Sequence, residues 1–522
     1  MTIENANELR RFGLCASSDP SRGRLARTAR IAGRAALLAI LVAPALVLGQ
    51  TQPPVDPDTD PLGSPNAYTL LRDDELFVLH MPSSGQQPGP DGISFNTYEI
   101  DANFNATSQA DYVNDFNWAT ESHQFFTANG RPLVPDKDNV VVAQRSGASD
   151  VQLRFFTLPT HQARSYTLPD TPLAPRLGAP STDFMDLAVG DLDNRTDSAG
   201  AYHDEVVVAW AKADSTGRYY TPNISVIDYT SATADPTRPE AITSAVSTKA
   251  IDTSLWSTNG PITPSDNALS IALGDFDGDG VKEIALATLV DATAIWLTPF
   301  RYTTDDAGNH SLDPLPPVQV MLSGTVAGTV DLAAANGDGD VGNKDELFLS
   351  SSSVSLPWLD VFEADANLQL SRVSSTTLDG YHNSIYLGAQ CVPRVQLVPG
   401  LFKYDPATGY DINRRQVAVF NQYCLAGGGG QWAEIHGSIY ALSSDRTQLQ
   451  HQTNIDVPTS GAGGDSYSSE PGQRWVATAG GFRGNHDVSD PTWWMALAVW
   501  DGTAPNPYTI WRWKGSGDAW HL

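Results

Sequence analysis

Seven times along the chain an acidic or polar residue is followed by three or four apolar residues of strand-forming type. The runs begin at Glu75 (ELFVL), Asn139 (NVVVA), Glu205 (EVVVA), Glu283 (EIALA), Glu346 (ELFL), Gln416 (QVAVF) and, more weakly, Trp494 (WMALAV). Their spacings are 64, 66, 78, 63, 70 and 78 residues, with a mean near 70. Even the spelling recurs, since Asp74-Glu75-Leu76-Phe77 returns as Asp345-Glu346-Leu347-Phe348. Short apolar runs bounded by turn residues read as strands, and no amphipathic helical pattern lies between them. A period of this length built from short strands is what a four-stranded propeller blade requires. It overrides the prior of about three domains that length alone would set. The expectation is an all-β, seven-bladed β-propeller over residues 67–522, with six or eight blades as alternatives.

The other strands of each unit are placed more coarsely. An inner strand is expected at 186–190, 269–274, 331–335, 395–400 and 475–480. A third strand is expected at 93–100, 151–156, 224–229, 294–302, 358–362, 438–442 and 508–513. The outer strand is poorly marked everywhere. In the last unit it must come from residues 514–522 or from the N-terminal segment, and mixing the two ends would remove an exposed sheet edge.

Between the inner and second strands of the fourth unit lies Asp275-Phe-Asp277-Gly-Asp279-Gly-Val281-Lys-Glu283. Three carboxylates at alternate positions repel one another unless a cation neutralises them, and an oxygen-only set suits a hard ion such as Ca²⁺. An EF-hand loop also begins D-x-D-x-D-G, but it needs a bidentate Glu at position 12 and flanking helices. Position 12 here is Leu286, Glu283 closes the loop at position 9, and strands flank it. An Asp/Gly-rich turn without an ion is the competing reading.

This arrangement resembles the calcium loops of FG-GAP (VCBS, integrin-type) repeats, which build β-propellers. The resemblance covers about residues 67–522 and is strong for the units around Glu205, Glu283 and Glu346. It implies that Asp275, Asp277, Asp279 and Glu283 supply side chains to a structural Ca²⁺ and Val281 a backbone carbonyl. Two further loops resemble the first. Asn336, Asp338 and Asp340 carry oxygens at the same odd positions, with Glu346 closing after an insertion. Asp191 and Asp193 start a loop whose third position is Arg195 and whose closing acid is Glu205. Units around Asn129, Lys403 and Arg483 lack the carboxylates and are expected to hold no ion.

Residues 1–49 differ from the remainder. Seven arginines against Glu4, Glu8 and Asp19 give them a charge of +4, and Ala35–Leu48 is a 14-residue apolar run. That run is short for a membrane span and fits a signal-peptide core; an uncleaved anchor is the alternative. A Pro/Asp-rich linker follows at 50–66. Losing the leader would take the net charge from −28 to −32, which argues against nucleic acid and anionic membrane as partners. A secreted or cell-surface protein is expected, without membrane insertion of the mature chain. Cys391 and Cys424 then remain as an even pair. If Pro399 faces Val417, these cysteines come within one residue of facing each other, and a disulfide is expected.

Seven of the thirteen tryptophans fall from Trp475 onward. Trp493, Trp511 and Trp513 either fill wedges between blades or form a sugar-stacking platform, with the wedge reading favoured because buried aromatics dominate cores. Metalloprotease, nucleophile-elbow, Cys-x-x-Cys and phosphate-loop patterns are absent from the sequence. The resemblance therefore implies an exported binding or adhesion module for a cell-surface glycan or protein. A propeller-type polysaccharide lyase or hydrolase is the alternative, because a propeller hosts unrelated activities.

Overall fold

The computed structural model describes the strands and adjoining turns between residues 76 and 521, and every regular element among them is a β-strand. The strands form antiparallel sheets in which consecutive strands are neighbours. The chain is an all-β β-propeller. Five successive blades are described, most of their strands to the side chains. The Asn139 blade comprises Phe126–Gly130, Asn139–Ser146, Asp150–Thr157 and Gln162–Thr167. The Glu205 blade comprises Met185–Gly190, Glu205–Ala213, Tyr220–Asp228 and Ala245–Ala250. In the Glu283 blade, Leu269–Gly274, Glu283–Val290 and Ala294–Thr304 are followed by two short strands, His310–Pro314 and Val318–Met321. Both of these pair with the third strand. The Glu346 blade runs Val326–Ala335, Glu346–Ser353, Trp358–Ala364 and Leu370–Thr377. The Gln416 blade runs Arg394–Gly400, Gln416–Gly427, Gly430–Leu442 and Leu449–Ile455.

The expected seven blades are corrected to these five. The end sheets continue the pattern as backbone pairing alone. One holds Leu76–His80, Ser94–Ile100 and Ala106–Val113; the other holds Trp475–Gly480, Trp494–Trp500, Tyr508–Trp513 and Ala519–His521. The first of them has three described strands. The outer strand of the last sheet comes from the C-terminus, where Trp511 faces His521. Among the described residues no helix is long and apolar enough to cross a membrane.

The core sits between blades. Val141, Phe155, Met185, Val206 and Trp210 fill the first seam, and Ala333, Phe348, Val361, Leu397 and Val419 another. Second strands are buried on both faces, which is why they read as unbroken apolar runs; all eight residues of Glu283–Val290 are buried. Polar groups stitch the inner strands together. Asp186 accepts the Ile271 amide at 2.8 Å, Asp331 accepts the Leu397 amide at 2.6 Å, and the Gln396 side chain bonds both ways with the Ala477 backbone. Ser270 donates to Asp331 and accepts the Leu332 amide. These four residues sit at one register position, four before the end of each inner strand. Burial pushes Asp186 up to about 6 and Asp331 up to about 7.

The register expected for the Gln416 blade is observed, with Pro399 facing Val417. Cys391 lies outside the described residues, and Cys424 is placed as backbone opposite Ala433. The leader, the linker, Asp340 and Trp493 also lie outside them. Trp511 and Trp513 are placed as backbone facing Leu497 and Met495.

Candidate functional site

The inner and second strands of each blade are joined by the loops that carry the acidic residues. Their frame is fixed by two recurring hydrogen bonds. In the first, the residue that opens the loop accepts the amide three positions on. Asn194 donates to Asp191, Gly278 to Asp275 and Gly339 to Asn336, each at 2.7 Å. This closure forces the fourth position into the left-handed region, with φ of 51° at Asn194, 81° at Gly278 and 74° at Gly339. Glycine and asparagine are the residues that tolerate it. In the second bond, the closing acid accepts the amide of the loop's second residue. Glu205 takes Leu192 at 2.7 Å, Glu283 takes Phe276 at 2.9 Å and Glu346 takes Gly337 at 2.6 Å.

The Gln416 blade has the same second bond without the charge. There the Gln416 side-chain carbonyl accepts the Phe402 amide at 2.8 Å, and the loop opens on Leu401. Leu192, Phe276 and Phe402 fill the wedge beneath their loops, each no more than 1% exposed. At Gly337 a Cβ would meet the Phe348 ring at 2.7 Å, because Phe348 fills that wedge from the second strand. The frame therefore needs an acceptor at the closing position and a wedge residue. It does not need a carboxylate. A buried charge that the frame does not use calls for a counter-charge.

The sequence-expected acids come together in part, with Glu283 absent from its cluster and Asp340 outside the described residues. Asp275, Asp277 and Asp279 form one cluster with oxygens mutually within 4.8 Å, and Asp191, Asp193 and Glu205 form another. In the third cluster Asp338 and Glu346 are joined by Glu363 from the third strand. The strand register explains this partner. Leu347 faces Phe362, so one step further Glu346 faces Glu363. By the same step Glu283 faces Arg301 and Glu205 faces Asp228. Facing side chains interact directly, and Arg301 is ion-paired to Asp277. At the Asp191 loop, Thr304 of the next blade donates to Asp193 at 2.8 Å, and His310 Nε2 lies 3.7 Å from Asp228.

Electrostatics follow from this crowding. Burial, with repulsion from Asp277, pushes Glu283 up to about 8. Burial, with repulsion from Asp338, does the same to Glu346. Asp191 rises to about 6, and Glu205 and Asp275 also rise, burial being the first cause each time. Carboxyls held in that state lose a proton when a cation arrives.

Asp275, Asp277 and Asp279 offer an oxygen-only set of the kind a hard ion takes, with Glu283 closing the loop behind them. The following blade adds Asp345, whose carboxylate accepts the Asp275 amide at 3.0 Å. Asp228, Arg301, Glu363 and Asp345 were missed by sequence reading. The first three could have been found by extending the third-strand pairing one residue toward the loop.

No protein-family model matches the chain, and no curated protein matches it. Among solved structures it is similar to a protein from Lactobacillus plantarum, with TM-score 0.41, 13% identity, and 86% of this chain and 95% of that chain covered. It is similar to the six-bladed fucose-recognising lectin of Aleuria aurantia, with TM-score 0.32, 8% identity, and 70% and 92% covered. It is also similar to rhamnogalacturonan lyase YesW, with TM-score 0.32, 12% identity, and 86% and 87% covered. At those values none of them bears on site or ligand.

Proposed function

We propose that the chain is an exported, calcium-stabilised propeller of the FG-GAP/VCBS type that acts as a binding module for a cell-surface glycan or protein. The observation that carries the calcium reading is the exchange at the closing position. Where the loop opens on Leu401, a neutral Gln416 holds the frame; where it carries acids, Glu205 or Glu283 does. A carboxylate closes the loops that carry acids, and an amide closes the one that does not. The Asp275 and Asp191 loops are the sites this reading assigns to Ca²⁺.

Binding rather than turnover is supported by how these acids are used. Asp275, Asp279 and Glu283 each accept backbone amides within their own loop, which organises the turn and leaves them poorly placed to move protons to a substrate. The test is a glycan array probed with the full chain, with and without Ca²⁺, beside an assay for new reducing ends or unsaturated sugar on the glycans retained. Calcium-dependent retention without product is expected. Product formation would favour the lyase or hydrolase reading instead.

A further inference from the structure

The Asn336 loop meets the following blade in a way the other two do not. Two arginine side chains of the Gln416 blade close on it. The Arg415 amide donates to the Asn336 carbonyl at 2.7 Å, as the Asp345 amide does to the Asp275 carbonyl at 2.8 Å, but here Arg414 Nε also donates to the Gly337 carbonyl at 3.3 Å. Arg446 reaches furthest. Its Nε is ion-paired with Asp338, and its Nη1 lies 3.2 Å from Glu363. Those two carboxylates belong, with Glu346, to one cluster whose oxygens lie within 4.8 Å of each other. A guanidinium is planar, permanently charged and forked, so one group can answer two carboxylates.

The backbone presents this side chain deliberately. Arg446 sits at φ 62° in the turn before the outer strand Leu449–Ile455. The turn is closed by Ser443 and Gln448, and Asp445 accepts from the Thr447 amide and hydroxyl. In the preceding blade the left-handed residue of the corresponding turn is Leu368, which is buried in the core. A non-glycine residue kept in this conformation points to a role for its side chain.

We infer that the Asn336 loop takes no calcium ion, because the guanidinium of Arg446 stands in the cation's place and clamps the Glu346 and Gln416 blades together. This rests on the reading that the sister loops are cation sites. It departs from the expectation that the Asn336 loop, resembling the Asp275 loop, also holds Ca²⁺.

The experiment is calcium stoichiometry by equilibrium dialysis with elemental analysis of the full chain, stripped by chelator and then titrated with Ca²⁺ alone. Asp338→Asn should leave the number of bound ions unchanged, and Arg446→Gln should gain one equivalent. Loss of one ion in Asp338→Asn would overturn the inference, as would no gain in a folded Arg446→Gln. If Arg446→Gln does not fold, Asp338→Asn decides alone. Asp277→Asn serves as the control for the broader reading and should lose one ion. A wild-type chain that binds no Ca²⁺ at all would count against the calcium reading, while a gain in Arg446→Gln would still uphold the clamp.

Discussion

At the Asp275 loop the following blade contributes an acid, Asp345; at the Asn336 loop it contributes the guanidinium groups of Arg414 and Arg446. The two turns are otherwise alike. Each opens with a side-chain oxygen accepting an amide at 2.7 Å, passes through a left-handed glycine and closes on a buried glutamate pushed up to about 8. Burial and carboxylate crowding cost both loops the same kind of energy. One is answered from inside the chain. The other gathers Asp275, Asp277 and Asp279, with Arg301 ion-paired to Asp277 and the Asp345 carboxylate at the Asp275 amide. Similar backbones thus carry opposite demands, set by residues 70 or more positions away.

The sharpest lever on this difference is pH in the presence of chelator. An acid whose folded pKa is raised above its unfolded value favours the fold while protonated. That contribution is present below the unfolded pKa and is lost as pH rises through the folded one. For Glu283 the window runs from about 4.5 to about 8. At about 1.4 kcal/mol per pH unit, the chelated protein should lose on the order of 4 kcal/mol from this group between pH 5 and 8. Asp186 and Asp331 have the same sign, but they titrate lower, up to about 6 and about 7. Glu346 rises to about 8 as well and, on the clamp reading, keeps its share of the fall in either buffer, so saturating Ca²⁺ should reduce the fall up to about pH 8 without abolishing it. Denaturant melts across that range, with and without Ca²⁺, check it. Equal slopes in the two series would erase the distinction.

The next largest effect belongs to the ion itself. If ambient Ca²⁺ stands about a hundredfold above Kd, binding at one site contributes roughly 2.7 kcal/mol. Asp277→Asn should forfeit most of that stabilisation in calcium buffer and lose little in chelator, measured by the midpoint of urea unfolding. A variant equally weakened in both buffers would mean that Asp277 serves Arg301 rather than an ion.

Much of this arrangement was readable from the chain because of where its strands lie. Second strands such as Glu283–Val290 are buried on both faces, so their apolar runs stand out and their starts were placed to within a residue. Outer strands were not readable. Leu370–Thr377 buries only Leu370 and Ser374, which leaves no alternation to detect. The inner strand Phe126–Gly130 was missed because FTANG has no apolar run. The loop acids were found by their spacing, but their partners were not. Asp228 and Arg301 depend on third-strand register, and Arg446 comes from another blade altogether. Charge clusters assembled across 108 residues leave no local signal.

The smallest change in structure gives the most direct test. Glu283→Gln reproduces at the Asp275 loop what Gln416 already does at the Phe402 loop, keeping the acceptor and removing the charge. If the carboxylate exists for a cation and not for the hairpin, the variant in chelator should match or exceed the wild type in stability. Its calcium-induced rise in unfolding midpoint should shrink toward that of Asp277→Asn. A variant that unfolds earlier than wild type in chelator, or that keeps the full calcium-induced rise, would contradict the assignment of Glu283 to a metal ion.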